Sequence, residues 1–105
     1  CEVWPHSKRA ADFRAPLKTN TPVLLFSGEF DPVTPPRYGD AVAKLLPNSK
    51  HIIVKGQGHN VMPVGCGPKL FARFIDSADA KKLDIKCLDS LAYVSPFVGF
   101  YGWEP

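Results

Sequence analysis

An unbroken apolar run, followed at once by a glycine turn and a carboxylate, constrains this chain more than any other feature. The segment VLLFSGEFD spans residues 23–31, and its first four side chains show no alternation of apolar and polar character. Such a run is typical of a buried parallel strand with both faces covered. Gly28 allows a sharp exit, so Asp31 is predicted to lie just past the carboxyl end of the strand. In open α/β sheets that edge collects ligands and catalytic groups.

A helix and a second strand are predicted to follow. Thr34 is a good N-cap and Pro35 suits the first helical turn. The apolar face of this helix is predicted to consist of Tyr38, Ala41, Val42, Leu45 and Leu46. The second strand is predicted at residues 51–54, before a glycine-rich loop that carries His59. Strand, helix and strand form a βαβ unit with parallel strands, so Asp31 and His59 should lie at the same edge of the sheet.

The segment before the first strand is expected to be irregular. Residues 1–21 mix aromatic, charged and proline residues without a period. Within them, Val3, Trp4 and Phe13 are expected to pack onto another surface. His6 is interpreted as a solvated surface histidine.

After the βαβ unit, residues 67 and 68 (Gly-Pro) are expected to begin a second helix. Its buried stripe is predicted to be Leu70, Phe71, Phe74 and Ile75. Residues 79–105 are interpreted as a tail, in which a charged stretch leads to Cys87 and residues 91–105 are expected to be extended. The extended part carries aromatic residues at Tyr93, Phe97, Phe100, Tyr101 and Trp103. Packing within the fold is the favoured role of these aromatics, and a carbohydrate-stacking surface is the alternative. The chain thus divides into an approach (1–21), a βαβα unit (22–78) and a tail (79–105) of one α/β domain.

Composition and charge exclude several classes of protein. The chain has 105 residues, of which 45 % are hydrophobic and 22 % charged, and these values fit one small globular domain. No apolar run is long enough to span a membrane, and no signal peptide is recognisable at the start. The net charge of +3 comes from scattered Lys and Arg residues, so nucleic acid is not expected as a partner. No membrane partner is expected either.

The three cysteines favour a disulfide over a metal site. Cys1, Cys66 and Cys87 show no C-x-x-C spacing, which argues against zinc. Cys66 and Cys87 flank the second predicted helix, an arrangement that suits a bridge and an oxidising compartment. Cys1 would then be free or bonded to a residue outside this chain. The alternative is that all three are small buried thiols of a cytosolic protein.

Asp31 and His59 together suit the chemistry of a catalytic imidazole held by a carboxylate. The Asp would accept the Nδ1 proton, fix the tautomer and stabilise the imidazolium that forms when the His takes a proton from a nucleophile. Gly56 and Gly58 would let the loop place the ring over the sheet edge. Each residue alone fits a simpler role, Asp31 as a turn carboxylate and His59 as a loop histidine bonded to backbone. Their matching positions after two strands favour catalysis.

The two motifs also carry a family resemblance. GEFDPVTP at residues 28–35 and GQGH at residues 56–59 resemble the C-terminal part of α/β-hydrolases, in the tripeptidyl-aminopeptidase-like branch related to prolyl aminopeptidases. In that family G-x-x-D-x-x-T-P carries the acid of the catalytic triad and G-x-G-H the base. The resemblance therefore implies Asp31 as the acid and His59 as the base, and it covers nearly the whole chain.

The chain departs from the family at the nucleophile. Family members carry a serine on a G-x-S-x-G turn earlier in the chain. None of the six serines here is flanked in that way: Ser7, Ser27, Ser49, Ser77, Ser90 and Ser95. The sequence also begins at Cys1, which a processed precursor, a lipoprotein cleaved before its cysteine or a fragment would each explain, and the fragment is favoured. The chain is thus expected to be the last third of a hydrolase, inactive alone.

The resemblance implies a secreted or periplasmic serine peptidase that acts on the N-termini of peptides, without a metal or organic cofactor. Its expected partners are the peptide substrate and the N-terminal remainder of the hydrolase. A free fragment would expose a strand edge and apolar faces, and is expected to self-associate. Two alternatives stay open, a non-catalytic α/β interaction module and an esterase or haloalkane-type hydrolase.

Overall fold

The computed structural model describes residues 3–91 and Phe100, and a small parallel sheet lies at its centre. Its elements, in chain order, are β1 (Val23–Gly28), α1 (Pro36–Ala43), β2 (Ser49–Val54), α2 (Gly67–Ser77) and a 3₁₀ helix (Lys86–Leu88). β1 and β2 pair in parallel, in a register that runs from Val23 opposite Ser49 to Gly28 opposite Val54. The predicted βαβ unit is confirmed, and the second strand begins two residues earlier than predicted.

The hydrophobic core lies on one face of this sheet. Its buried members come from β2, the loop after it, α2 and the 3₁₀ helix: Ile52, Val54, Val61, Leu70 and Leu88. Leu24 and Phe26 of β1 pack against this cluster, because alternate residues of a strand share a face. Burying one such aliphatic side chain stabilises a fold by roughly 1.5–3 kcal/mol. The cluster therefore holds α2 and the 3₁₀ helix to the sheet.

α1 covers the opposite face through a buried histidine. The ring of His51, in β2, packs so closely on α1 that a Cβ added at Gly39 would overlap it. Its Nδ1 lies 2.9 Å from Oδ1 of Asp40 in α1, and its Nε2 lies 2.8 Å from Oγ of Ser27 in β1. One imidazole thus links three elements and fixes the helix against the sheet. No pattern in the sequence had indicated this contact.

The start of α1 differs from the prediction. The N-cap is Pro35, without a side-chain cap hydrogen bond, and the helix begins at Pro36. Thr34 is therefore not the N-cap, and its hydroxyl bonds instead to the carboxylate of Asp31. The helix also ends at Ala43, after which Leu46 closes a tighter turn onto the Ala43 carbonyl.

The predicted apolar helix faces are largely uncovered within residues 3–91. No residue of α1 itself is buried, and Tyr38 and Val42 are exposed, although Leu46 beyond the helix end is buried. On α2, Leu70 is buried and Phe74 half-buried, whereas Phe71 and Ile75 are exposed. The prediction of four buried α2 positions is thus wrong for two of them, because the described chain places no element over that side. β1 is half-buried, so the prediction of a strand covered on both faces is wrong for the described residues, among which β1 pairs along one edge only.

The described approach segment has neither helix nor strand, as predicted. Val3, Trp4 and Phe13 are exposed, so the described residues do not cover them, although the Arg9 guanidinium lies 4.4 Å from the centre of the Phe13 ring. The expectation that they pack onto another surface stays a prediction. His6 is exposed as expected, and its Nδ1 lies 2.9 Å from the Trp4 carbonyl oxygen.

The tail and Cys1 are mostly beyond what the structure describes. The predictions for Cys1, Tyr93, Phe97, Tyr101 and Trp103 fall outside the described residues. Phe100 is described and fully exposed. No helix among the described residues is long and apolar enough to cross a membrane.

The predicted disulfide between Cys66 and Cys87 is present, with the two Cα atoms 6.2 Å apart. Cys66 is the N-cap of α2, and Cys87 lies in the 3₁₀ helix that delivers Leu88 to the core. The bridge therefore joins the start of α2 to the segment that follows it.

Removing this bridge should destabilise the fold. In the chain-entropy model, a crosslink between residues 21 apart contributes about 3 kcal/mol. A Cys66→Ala/Cys87→Ala variant should therefore lose about 3 kcal/mol in the free energy of unfolding, measured by urea denaturation. The intact protein treated with reductant should show a comparable loss. An unchanged denaturation midpoint in both experiments would contradict the stabilising role.

Candidate active site

The site lies where the two strands end side by side. Asp31 follows β1 and His59 follows β2. Beyond the sheet, the Glu29 N–H donates to the Val54 carbonyl at 3.1 Å, and the Phe30 N–H donates to the Gln57 carbonyl at 2.9 Å. These bonds continue the pairing of the chains past the strand ends and hold the two loops together.

Two glycines make this close approach possible. Gly28 is buried, and a Cβ added there would overlap the carbonyl oxygen of Gly58 and lie 2.6 Å from that of Gln57. Gly56 has φ +68°, a left-handed conformation that favours glycine, and its N–H donates to Oε2 of Glu29 at 2.8 Å. Gly58 has no such φ, and a Cβ there would meet open space. The predicted need for glycine thus holds at Gly56, while the second position that needs it is Gly28.

Asp31 and His59 are in direct contact. Nδ1 of His59 lies 2.8 Å from Oδ2 of Asp31, so the predicted proximity is confirmed. The Asp31 side chain is only 3 % exposed, whereas the His59 side chain is 66 % exposed. An ionised carboxylate can only accept hydrogen bonds, so the proton of the neutral ring lies on Nδ1. Nε2 is then the ring nitrogen that can take a proton from another group.

The loop of Asp31 satisfies both carboxylate oxygens. Oδ1 accepts the backbone N–H groups of Val33 and Thr34, each at 2.9 Å. Oδ2 accepts the Thr34 hydroxyl at 2.6 Å in addition to His59. A buried charge is tolerated when it is hydrogen-bonded in this way. The loop therefore keeps a buried carboxylate in place under an exposed imidazole.

These contacts set the protonation state of Asp31. The Thr34 hydroxyl, followed by the Thr34 N–H, holds the pKa of Asp31 well below its usual range, and burial acts in the opposite direction. His59 and the Val33 N–H lower the pKa further. The stability that follows from a lowered pKa is fully present above the unfolded value, about pH 4, and is lost as the pH falls toward the folded value. Asp31 is therefore an anion throughout the neutral range.

Sequence reasoning missed the part that Thr34 plays. Its Oγ lies 3.2 Å from Nδ1 of His59, so it contacts both members of the pair. The sequence did hold a signal, because Asp side chains commonly accept the backbone N–H two residues later in turns. That pattern competes with the helix-cap interpretation of the same threonine.

A second Ser, His and Asp chain exists elsewhere in the fold. Ser27, Asp40 and His51 occur in the order of an α/β-hydrolase triad, with the hydrogen bonds of 2.8 and 2.9 Å given above. However, the His51 side chain is only 6 % exposed, with α1 packed on its ring. A nucleophilic serine sits on an exposed turn between strand and helix, whereas Ser27 lies within β1. The hydrogen bonds that join Ser27, His51 and Asp40 therefore form a structural link between sheet and helix.

The parallel βαβ unit is a fragment of an α/β fold, and its carboxyl edge carries a hydrogen-bonded Asp and His. The family model described as TAP-like protein matches residues 1–87, which is most of the chain. The chain therefore belongs to the tripeptidyl-aminopeptidase-like family of α/β-hydrolases. No curated protein and no solved structure matches it in the same comparisons.

Proposed function

We propose that this chain is the C-terminal part of a serine peptidase and supplies the acid and the base of its triad. Asp31 is the acid, His59 is the base, and the nucleophilic serine lies on a G-x-S-x-G turn outside this chain. The contact of 2.8 Å between Oδ2 of Asp31 and Nδ1 of His59, at the carboxyl edge of the strands, is the observation that carries the proposal.

In this mechanism Nε2 of the exposed His59 side chain takes the proton of the serine hydroxyl as the serine attacks the substrate carbonyl. The proton then passes from Nε2 to the leaving amine. Asp31, an anion at neutral pH, stabilises the imidazolium between these two steps and keeps the ring in the tautomer that can accept a proton. The chain by itself has no route to the covalent intermediate and is expected to be inactive.

The proposed substrate class, peptides, is argued from the family and from the chemistry of attack on a carbonyl. The tripeptidyl-aminopeptidase-like family favours peptides attacked near their N-terminus. An acid and base pair alone does not choose between an amide and an ester, so an esterase is the alternative within the same mechanism. The disulfide supports secretion or a periplasmic location, because such bridges persist in oxidising compartments.

The N-terminal remainder of the hydrolase is the proposed partner of the uncovered surfaces. Tyr38 and Val42 on α1, and Phe71 and Ile75 on α2, expose apolar area on this chain. The outer edge of β1 pairs with no other described strand. Residues of a complete α/β sheet would cover both features. Without them the chain is expected to self-associate through the same surfaces.

A substrate and labelling experiment tests the proposal. The intact protein should release nitroaniline from peptidyl and aminoacyl nitroanilides that have a free amino terminus. Capping that amine should abolish turnover, while a short-chain nitrophenyl ester serves as the reference substrate for general esterase activity. A fluorophosphonate probe should label one serine outside residues 1–105, located by peptide mass spectrometry. Label on Ser27 would contradict the assignment, and absence of both hydrolysis and label would favour the interaction module.

A further inference from the structure

We propose that Thr34 is a positioning residue that holds the imidazole of His59 and the carboxylate of Asp31 as one rigid unit. This inference rests on the proposed function, because it concerns the same acid and base pair. Nothing in the sequence beyond its place in the GEFDPVTP motif had given this threonine a role in the site.

Thr34 donates hydrogen bonds to both oxygens of the Asp31 carboxylate. Its backbone N–H donates to Oδ1 at 2.9 Å, and its hydroxyl donates to Oδ2 at 2.6 Å. Two bonds from one residue fix the plane of the carboxylate, because rotation about the bond that carries it would stretch both. Oδ2 is thereby directed at the ring of His59.

The same hydroxyl also limits the ring. With its hydrogen on Oδ2, the Thr34 Oγ keeps lone pairs that face Nδ1 of His59 at 3.2 Å. The Nδ1 proton therefore has a main acceptor, Oδ2 at 2.8 Å, and a second, weaker one. Rotation of the ring away from Asp31 loses both acceptors together.

An exposed ring depends on such polar contacts. The His59 side chain is 66 % exposed, so packing restrains it little. In contrast, the buried ring of His51 is held by Gly39 of α1 as well as by its two hydrogen bonds. The orientation of the His59 ring therefore depends on its hydrogen bonds to Asp31 and Thr34. The orientation of the His51 ring depends on packing as well.

Local sequence restricts the conformation of Thr34 even in the unfolded chain. Pro35 follows it, and the residue before a proline is restricted to extended backbone conformations. The β-branch of threonine further restricts χ1. The hydroxyl is thus held near its bonding position at little entropic cost, and a serine at this position would be less restrained.

The test compares Thr34→Val with Thr34→Ser in the intact protein. Valine keeps the shape and removes the hydroxyl, so kcat for the nitroanilide substrate should fall roughly 10- to 100-fold, the loss of one hydrogen bond to a charged group. KM should change less than about twofold, since the interaction does not involve bound substrate directly. Serine should recover most of kcat. Thr21→Val, which removes a hydroxyl bonded only within the approach segment, is the matched control and should leave kcat unchanged.

A spectroscopic readout separates positioning from a merely structural role. The downfield proton resonance of His59 Nδ1, assigned by its loss in His59→Gln, should shift or broaden in Thr34→Val and persist in Thr34→Ser. If valine prevents folding, Thr34→Ala against Thr34→Ser gives the same comparison. An unchanged resonance and kcat in the variants without the hydroxyl would overturn the inference. If the wild-type protein hydrolyses nothing, the proposed function fails, while the resonance still decides the role of Thr34.

Discussion

Replacing Asp31 with asparagine should lower kcat of the intact hydrolase by about 10⁴-fold, the order expected when the acid of such a triad is neutralised. The reason lies in the donors around the carboxylate. Oδ1 accepts two backbone N–H groups, so the amide oxygen of the asparagine must occupy that position. The amide NH₂ then faces His59 where Oδ2 stood.

That arrangement forces the wrong tautomer on the base. An NH₂ group donates to Nδ1 only if Nδ1 carries no proton, so the proton of the neutral ring moves to Nε2. Nε2 can then no longer accept the proton of the serine. Steady-state kinetics with the peptidyl nitroanilide measures the loss, and circular dichroism should show that the variant remains folded.

Asp40→Asn is the matched control because it makes the same change beside the other bonded histidine. Asp40 is exposed and bonds to His51 in the structural chain with Ser27. The amide of the asparagine can still hydrogen-bond to His51, so a loss of no more than about 1.5 kcal/mol in stability and little change in kcat are expected. A large loss of kcat in Asp40→Asn with little effect in Asp31→Asn would transfer the catalytic role to the Ser27 chain and refute the assignment to Asp31.

The contact between Asp31 and His59 could be predicted because it depends on local patterns and one topological rule. Local sequence encodes each part of the unit: the apolar run of β1, the turn at Gly28 and the helix before β2. A right-handed βαβ crossover then requires parallel strands, which brings the two carboxyl ends together. The proximity of Asp31 and His59 can therefore be predicted without knowing the strand register.

The register itself was not predictable, and neither was what depends on it. Leu25 lies opposite His51 and Ser27 opposite Ile53, which places Ser27 beside the ring of His51. A shift of one residue would have turned His51 to the core face, because strand side chains alternate. The link through Asp40 additionally needs the position of α1 on the sheet.

The exposure of the helix faces marks another limit of sequence reasoning. The periodicity of Tyr38, Val42 and Leu46 correctly identifies an apolar face. The periodicity does not say which element covers that face. Of these three residues, only Leu46 is buried by the described chain. Thr34 illustrates a third limit, because capping a helix and bonding a carboxylate are both favourable for a threonine. The two prolines after it place the N-cap one residue later, which leaves the hydroxyl to Asp31.

Gly28→Ala should have the largest effect on the fold of any single methyl addition in the site. The new Cβ would overlap the Gly58 carbonyl oxygen and approach that of Gln57 to 2.6 Å, and both are backbone atoms. Overpacking typically costs about 1–3 kcal/mol and sometimes more, and backbone neighbours that cannot rotate away place this case at or above the upper end. The loops must separate, so the Phe30 to Gln57 hydrogen bond should also be lost.

Because that separation moves His59 away from Asp31, activity should fall together with stability. Urea denaturation gives the loss in unfolding free energy, and kcat for the nitroanilide, measured under conditions where the variant is folded, gives the catalytic loss. Gly58→Ala is the control, since its Cβ would enter open space and its φ lies outside the left-handed region. It should change stability by no more than about 0.5 kcal/mol. If Gly28→Ala and Gly58→Ala proved equally tolerated, the close approach of the two loops could not be what holds Asp31 against His59.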